Sequence, residues 1–196
     1  MDIEDNMYNK LPYFVYLKNE KYFINTDYRI FIKFEERMQG KNTKQVIYDC
    51  LSNFYPDFFI IKNKNLLNEA VDQFIWFYKC GKKDIETTKK GKNSSKKSIF
   101  SYSYDDQVIW GAYYSQFKID LSTGKLHWWK FKSMWLSLDS ECQFSKIRGY
   151  RCYNGKDKDL LELKEAHKLP PTEQEIEDKD RKDKIFKELN KIKTSQ

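Results

Sequence analysis

Apolar residues recur along most of the chain at the three- and four-residue spacing of helices that bury one face. The first such stretch follows Thr26, a good N-cap residue, and runs to about Gln39, because Gly40 suits the position after a helix C-terminus. Its apolar stripe consists of Ile30, Phe31, Phe34 and Met38. The pattern therefore predicts a first helix between Thr26 and Gly40.

Two further helices are predicted before residue 82. One begins at Thr43 and runs to about Leu51, which makes Cys50 a core thiol. The other starts near Asn65 and ends at Gly81. One of its faces carries Leu67, Ala70, Val71, Phe74, Ile75 and Tyr78, and its other side carries Trp76 and Phe77. A helix that is apolar nearly all round is buried on more than one side or meets a partner. The pattern does not determine the structure of the aromatic-rich connection between these two helices, residues 53–63.

The second half of the chain is organised around residues 126–153, which hold three of the five tryptophans. A central helix is predicted over 126–138, with Trp128, Phe131, Trp135 and Leu138 in line and a second ridge formed by Trp129 and Leu136. Before it, Asp105 and Asp106 open a helix to about Phe117, with an inner face of Val108, Ile109, Ala112 and Tyr113. After it, a helix over 141–151 turns Phe144 and Ile147 inward and carries a basic face of Lys146, Arg148 and Arg151.

The remaining segments predict short strands, a polar linker and a C-terminal helix. Residues 13–17 and 21–24 form a β-hairpin around Asn19-Glu20, and residues 99–103 form a short strand. The polar stretch 154–169 precedes Pro170-Pro171, and the capping box Thr172–Glu175 starts a helix of about twenty residues. The predicted fold is therefore mainly α, with a small N-terminal β-hairpin and a separate C-terminal helix. The predicted organisation is a flexible tail (1–10), a helical core domain (11–153), and a polar linker with the C-terminal helix (154–196).

The net charge of +7 is concentrated in one short run. Residues 79–97 carry eight lysines against Asp84 and Glu86, so the rest of the chain is nearly neutral. A run of this composition is typical of a solvated, flexible loop, which we place at residues 82–98. A phosphate-binding role for the same lysines stays open.

Candidate chemistry is sparse. The four cysteines form no CxxC pair and the two histidines stand far apart, so no metal site is expected. His127 has no nucleophile or orienting carboxylate in a recognisable motif and is interpreted as structural, and no phosphate-binding glycine loop is present. We expect no catalytic residue and no cofactor. No apolar run is long enough to span a membrane, the N-terminus does not have the pattern of a signal peptide, and a cytoplasmic protein with free thiols is expected.

Aromatic residues beside basic ones could in principle stack bases and hold phosphates. The candidates are Trp128, Trp129, Lys130, Tyr150 and Arg151. Helical spacing places at least Trp128 and Trp135 on a core face instead. We therefore do not expect nucleic acid to be the main partner.

Several blocks of sequence resemble a known family in the same order. They are His127–Phe131 (HWWKF), Phe144–Ile147 (FSKI), Gly149–Arg151 (GYR), Ile24–Asp27 (INTD), Trp76–Gly81 (WFYKCG) and Ile99–Tyr104 (IFSYSY). Over roughly Leu11–Tyr153 the chain is similar to the bacteriophage gene-product-fifteen family, which is encoded in the tail gene cluster of long-tailed phages and prophages.

The resemblance implies a non-enzymatic role in phage tail assembly, in the cytoplasm of a bacterial host. The expected function is that of a chaperone that binds the apolar, helical tape-measure protein and helps recruit tail tube subunits. Self-association stays open. The alternatives are a structural tail component retained in the virion and a basic nucleic-acid-binding accessory protein. The residues that we expect to bind a partner are Trp76, Trp129, Lys130, Leu136, Lys146, Tyr150 and Arg151.

Overall fold

The computed structural model describes residues 11–38, 43–82, 98–172, 175–177 and 180–181. The chain divides into two compact units, Met1–Gly149 and Tyr150–Gln196. Helices dominate, with one small β-hairpin near the N-terminus, which confirms the predicted fold class. The predicted tail (1–10), Gly40 and most of the predicted flexible loop (83–97) lie outside the described residues. The predicted domain limits stay a prediction.

The hairpin consists of two antiparallel strands, β1 (Phe14–Leu17) and β2 (Glu20–Phe23). Its turn is Lys18-Asn19, and both residues have positive φ (46° and 68°), as a two-residue type I′ turn requires. The prediction placed the turn one residue later. A turn at Asn19-Glu20 would set Lys18 opposite Lys21, and like charges directly opposite each other destabilise a strand pair.

Helix α1 (Tyr28–Arg37) is capped by Asp27 and not by the predicted Thr26. The Asp27 carboxylate accepts a hydrogen bond from the Arg29 backbone N–H at 3.0 Å, whereas the Thr26 carbonyl accepts one from the Trp128 N–H at 2.8 Å. The buried face is Tyr28, Phe31 and Phe34. Met38, which the prediction placed on that face, is 37% exposed, because it follows the last full turn of the helix as its C-cap.

Three helices follow, α2 (Thr43–Phe54), α3 (Phe58–Asn63) and α4 (Leu67–Tyr78). Helix α2 continues beyond its predicted end because Phe54 is fully buried, and Cys50 is a buried thiol as predicted. Helix α3 lies in the connection whose structure the sequence pattern did not determine. In α4, Phe77 is fully buried although the prediction set it on the outer side, since Ala70, Phe74 and Phe77 together form the inner face.

The next three helices are α5 (Asp106–Phe117), α6 (Trp128–Leu136) and α7 (Gln143–Cys152). Helix α5 begins at the predicted acidic pair, and α7 turns Phe144 and Ile147 inward as predicted. Helix α6 is shorter than predicted because His127 caps it. Residues 99–103 form turns and not the predicted strand, since the Ser101 N–H and carbonyl are both bonded to Asp105.

Aromatic rings fill the core of the first unit. The fully buried Phe31 stacks on Phe74, Phe77 and Trp128, with ring centroids 5.4, 5.3 and 4.9 Å away. The indole N–H groups of Trp128 and Trp129 donate to the carbonyls of Tyr78 and Phe77 at 2.9 and 2.8 Å. Carbonyls at the C-terminus of a helix lack partners within the helix. The tryptophans of α6 therefore satisfy the end of α4 while their rings pack.

The second unit contains α8 (Lys158–Ala166), which lies in the polar stretch after residue 153. The Asp157 carboxylate caps it by accepting from the Leu160 N–H at 3.2 Å. The predicted capping box is present, because the Glu175 N–H donates to the Thr172 hydroxyl at 3.2 Å and the Thr172 N–H donates to the Glu175 carboxylate at 2.9 Å. Residues 175–177 and 180–181 are helical, and the rest of the predicted C-terminal helix lies outside the described residues.

Candidate functional site

An open cleft of about 690 Å³ lies between α1, α5 and α6 in the first unit. Its apolar lining includes Tyr28, Ile32, Ile109, Trp110, Leu121 and Phe131. Ligand-binding clefts typically measure about 300–1,000 Å³ and are lined mainly by apolar and aromatic side chains. In the described part of the chain this cleft is therefore the strongest candidate for a binding site, and we call it the aromatic cleft.

Packed and hydrogen-bonded rings hold the floor of the aromatic cleft in place. Phe131 lies between Tyr28 and Tyr113, stacked on each at centroid distances of 4.7 and 5.1 Å. The Tyr28 hydroxyl donates to the Leu121 carbonyl at 2.8 Å, and the Tyr113 hydroxyl donates to the Phe131 carbonyl at 2.7 Å. Burial raises the pKa of both tyrosines, so both stay neutral donors at neutral pH. The floor is a preorganised apolar surface.

Trp110 lines the cleft and belongs to an exposed aromatic pair. Trp110 stacks on Tyr114 one helical turn later, with centroids 5.1 Å apart and planes 7° apart. The two side chains are 39% and 49% exposed. The Trp110 indole N–H donates to the Asp120 carboxylate at 2.9 Å. Hydrogen bonds from the Ser122 hydroxyl and then from Trp110 lower the pKa of Asp120 to about 2. Trp110 is thus an exposed aromatic ring in a fixed orientation, as is common at binding sites.

The charged side chains of the described chain that line the aromatic cleft are two carboxylates, Glu36 and Asp106. One oxygen of Glu36, Oε1, is buried and has no hydrogen-bond partner within the described residues. Its neighbours on α1 are both engaged. Glu35 accepts hydrogen bonds from Tyr78 and Tyr102 at 2.9 and 2.8 Å, and Arg37 pairs with a carboxylate of α2 at 2.8 Å. Buried polar atoms are usually hydrogen-bonded, so this Glu36 oxygen, which has no partner among the described residues, is a candidate contact for a ligand.

None of the seven residues that the sequence predicts to bind a partner lines the aromatic cleft. Trp129 is 2% exposed and packs edge-on against the half-buried Trp76 at 5.7 Å. Trp129 therefore lies in the core, because its indole N–H donates to the Phe77 carbonyl at the end of α4, and of the second ridge predicted with Leu136 only Leu136 is exposed. Leu136 is 76% exposed, Lys130 is exposed, and Lys146 pairs with Glu141 at 3.2 Å.

The other two predicted residues belong to the second unit. Tyr150 stacks on His167 with centroids 5.6 Å apart, and the Arg151 guanidinium donates to the His167 carbonyl. The structure thus brings Trp76 and Trp129 together, and Tyr150 and Arg151 together around His167. Their predicted role in binding stays a prediction.

Arg148, predicted on a basic face with Lys146 and Arg151, instead packs among aromatic rings. Its guanidinium lies 5.5–5.9 Å from the ring centroids of Phe100, Trp135 and Phe144. An arginine over the faces of aromatic rings is stabilised by cation–π attraction. Arg148 is therefore a packing residue of the first unit.

His127 has the structural position that the sequence analysis assigned to it. Its Nδ1 accepts the Trp129 N–H at 3.1 Å as the N-cap of α6, and its Nε2 donates to the Pro12 carbonyl at 3.1 Å. This pair of partners fixes the neutral tautomer that carries its proton on Nε2. Burial lowers the pKa of His127, which also favours the neutral ring. The histidine thus ties the N-terminus of α6 to the chain before the hairpin.

The sequence contains a signal for the aromatic cleft that the predicted set of binding residues does not include. Trp110 and Tyr114 stand four residues apart on the face of α5 next to that of Ile109 and Tyr113. An i, i+4 aromatic pair on the outer face of an amphipathic helix indicates exposed apolar surface. Glu36 carried no such signal, because the lack of a partner for its Oε1 among the described residues depends on how α1, α5 and α6 meet.

The lining of the aromatic cleft offers apolar area, hydroxyl groups and carboxylates, which suits the binding of an apolar segment that also carries polar groups. Among the described residues, no three His, Cys, Asp or Glu side chains are placed to hold a metal ion. No helix within the described ranges is long and apolar enough to cross a membrane.

These features define a small, mainly helical protein with an aromatic core and an open apolar cleft. The model of the family described as bacteriophage Gp15 protein matches residues 7–170, so the chain belongs to that family. The match confirms the predicted resemblance and extends beyond the predicted stretch at both ends. No curated protein and no solved structure matches the chain significantly.

Proposed function

We propose that this bacteriophage protein is a tail assembly chaperone. It binds an apolar helical segment of the tape-measure protein in the aromatic cleft, keeps that protein soluble, and helps recruit tail tube subunits around it. It acts in the cytoplasm of the bacterial host by protein binding, without catalysis. The membership in the Gp15 family supports the phage context.

The observation that carries the proposal is the aromatic cleft itself. A helix docks in a groove by inserting a few large side chains spaced three or four residues apart. The cleft presents apolar surface from α1, α5 and α6, and its rings are held by stacking and by hydrogen bonds. A preorganised aromatic surface loses little conformational entropy when it binds, which favours affinity.

The test is co-expression of the full chain with the tape-measure protein from the same gene cluster, followed by affinity capture and light scattering of the eluate. We expect a complex that keeps the tape-measure protein in solution. Trp110→Ala should weaken the complex by at least about tenfold, as loss of an aromatic anchor does. Phe59→Ala is the matched control, because Phe59 is 74% exposed and does not line the cleft.

Three outcomes would change the proposal. A tape-measure protein that precipitates as it does alone would contradict the chaperone function. Equal losses for Trp110→Ala and Phe59→Ala would remove the aromatic cleft as the site. Loss of binding in Trp76→Ala or Leu136→Ala with full binding in Trp110→Ala would assign the surface to the residues expected from the sequence.

A further inference from the structure

We propose that the segment bound in the aromatic cleft carries a lysine or arginine that pairs with Glu36, flanked by apolar residues that cover Ile32 and Trp110. The identity of the partner protein rests on the function proposed above. The chemistry of the bound segment rests on the cleft alone. The partner is thus an amphipathic basic segment and not a purely apolar one.

The first argument is the unsatisfied oxygen of Glu36. Oε1 is buried and lacks a partner within the described residues, and the Glu36 side chain to which it belongs lines the open cleft. A buried carboxylate oxygen without a donor is costly, and an ammonium or guanidinium group supplies the strongest donor available to it. The donor cannot come from the adjacent Arg37, which is engaged with Asp49. A ligand that fills the cleft therefore gains most if it brings the donor with it.

The second argument is charge complementarity. The chain as a whole carries a net charge of +7, yet the charged groups of the described chain that line the aromatic cleft are Glu36 and Asp106. An acidic segment in the cleft would place like charges together as water is excluded, which disfavours its binding. The carboxylates of the cleft therefore favour an apolar segment that carries a basic residue over one that carries an acidic residue.

The third argument is spacing. Ile32 and Glu36 stand four residues apart on α1 and both line the cleft, so an apolar contact and a charged contact lie one helical turn apart. One turn of α-helix rises about 5.4 Å. A helical segment lying along α1 would match this pattern with its basic residue three or four positions from an apolar one.

The test uses the full chain and two synthetic amphipathic helices of about 18 residues, a length at which isolated helices form measurably. One peptide carries a single lysine in the middle of its leucine face, and the other carries norleucine at that position. Both are titrated by calorimetry into the wild-type chain and the Glu36→Gln variant. Asp72→Asn is the control for a lost negative charge, since Asp72 is exposed and does not line the cleft.

We expect the lysine peptide to bind wild type about tenfold more tightly than it binds Glu36→Gln, the fold-change of one charge-assisted hydrogen bond at a partly exposed site. The norleucine peptide should bind both proteins equally, and Asp72→Asn should behave as wild type. Equal loss of both peptides in Glu36→Gln would indicate a structural effect of the substitution and would overturn the pairing. Failure of both peptides to bind would also overturn the inference.

The peptide result and the co-expression result separate the two proposals. Capture of the tape-measure protein through Trp110, with no lysine dependence in the peptides, would leave the chaperone function and remove the role of Glu36. Lysine-dependent binding without capture of the tape-measure protein would leave the cleft chemistry and contradict that partner.

Discussion

Glu35 is the best place to test how the helices of the first unit are held together. Its carboxylate accepts hydrogen bonds from the hydroxyls of Tyr78 on α4 and Tyr102 in the turn before α5, and lies 3.5 Å from the ammonium of Lys132 on α6. The side chain of Glu35 is 18% exposed. Burial, followed by the nearby carboxylate, raises the pKa of both tyrosines, so they remain donors to Glu35 at neutral pH. The perturbation is Glu35→Ala, which removes the shared acceptor.

The expected loss follows from the three contacts. A buried group left without its partner costs about 1–3 kcal/mol. Tyr102, at 8% exposure, bears most of this cost, whereas water can reach the half-buried Tyr78. The Lys132 contact is long and partly exposed, so it adds little, on the order of 0.5 kcal/mol. The sum is a loss of about 2–4 kcal/mol in the free energy of unfolding.

Urea unfolding, followed by tryptophan fluorescence, measures this loss in wild type, Glu35→Ala, Tyr102→Phe and the double variant. The double variant should lose about 1–2 kcal/mol less than the sum of the single variants, because Tyr102→Phe removes the donor that Glu35→Ala leaves unpaired. Glu35→Gln, which keeps one acceptor oxygen, should lose less than Glu35→Ala. A change below about 0.5 kcal/mol for Glu35→Ala, the size typical of an ordinary surface position, would refute the network, as would strict additivity.

Three further predictions concern single positions. His127→Ala should lower the free energy of unfolding by about 1–2 kcal/mol through loss of the cap. Folding lowers the pKa of His127 from its ordinary value of 6.5, so its contribution to stability is full above pH 6.5 and falls as the pH drops below that value. Between pH 7.5 and 5.5, wild type should therefore lose more stability than His127→Asn. Lys118→Gly should stabilise the protein by about 0.5–1 kcal/mol in thermal unfolding, because Lys118 closes α5 with φ of 57°. In thiol titration with Ellman's reagent, the exposed Cys152 should react before Cys80, whose pKa burial raises to about 11, and equal rates would contradict that burial.

The two most distinctive helices show how far local pattern reaches. The steps between Trp128, Phe131 and Trp135 identified the core face of α6, and the acidic pair at residues 105–106 located the start of α5. Both signals depend only on residues within a few positions of one another, where helical geometry leaves few alternatives. The turn at Lys18-Asn19 was missed by one residue because the pairing of like-charged lysines across the hairpin was not weighed.

The local sequence pattern could not predict which residues on the outer sides of the helices are buried. Trp129 and Leu136 share a ridge in sequence terms, yet one is 2% and the other 76% exposed. The difference arises because the end of α4 offers carbonyls to the Trp129 indole, whereas nothing in the described chain covers Leu136. The aromatic cleft could not be predicted for the same reason, and the predicted binding role of the ridge residues stays a prediction.

The sequence by itself determined the mainly helical class, the small hairpin, the capping box at Thr172 and the family to which the chain belongs. These depend on periodicity, capping residues and ordered blocks of sequence, which survive without knowledge of any long-range contact. The tertiary structure alone decided that α1, α5 and α6 leave an open cleft, that Trp110 lines it, and that a buried oxygen of Glu36 has no hydrogen-bond partner among the described residues. Those features arise where residues far apart in the chain meet, and the local sequence of one helix does not specify which face of another helix it will contact.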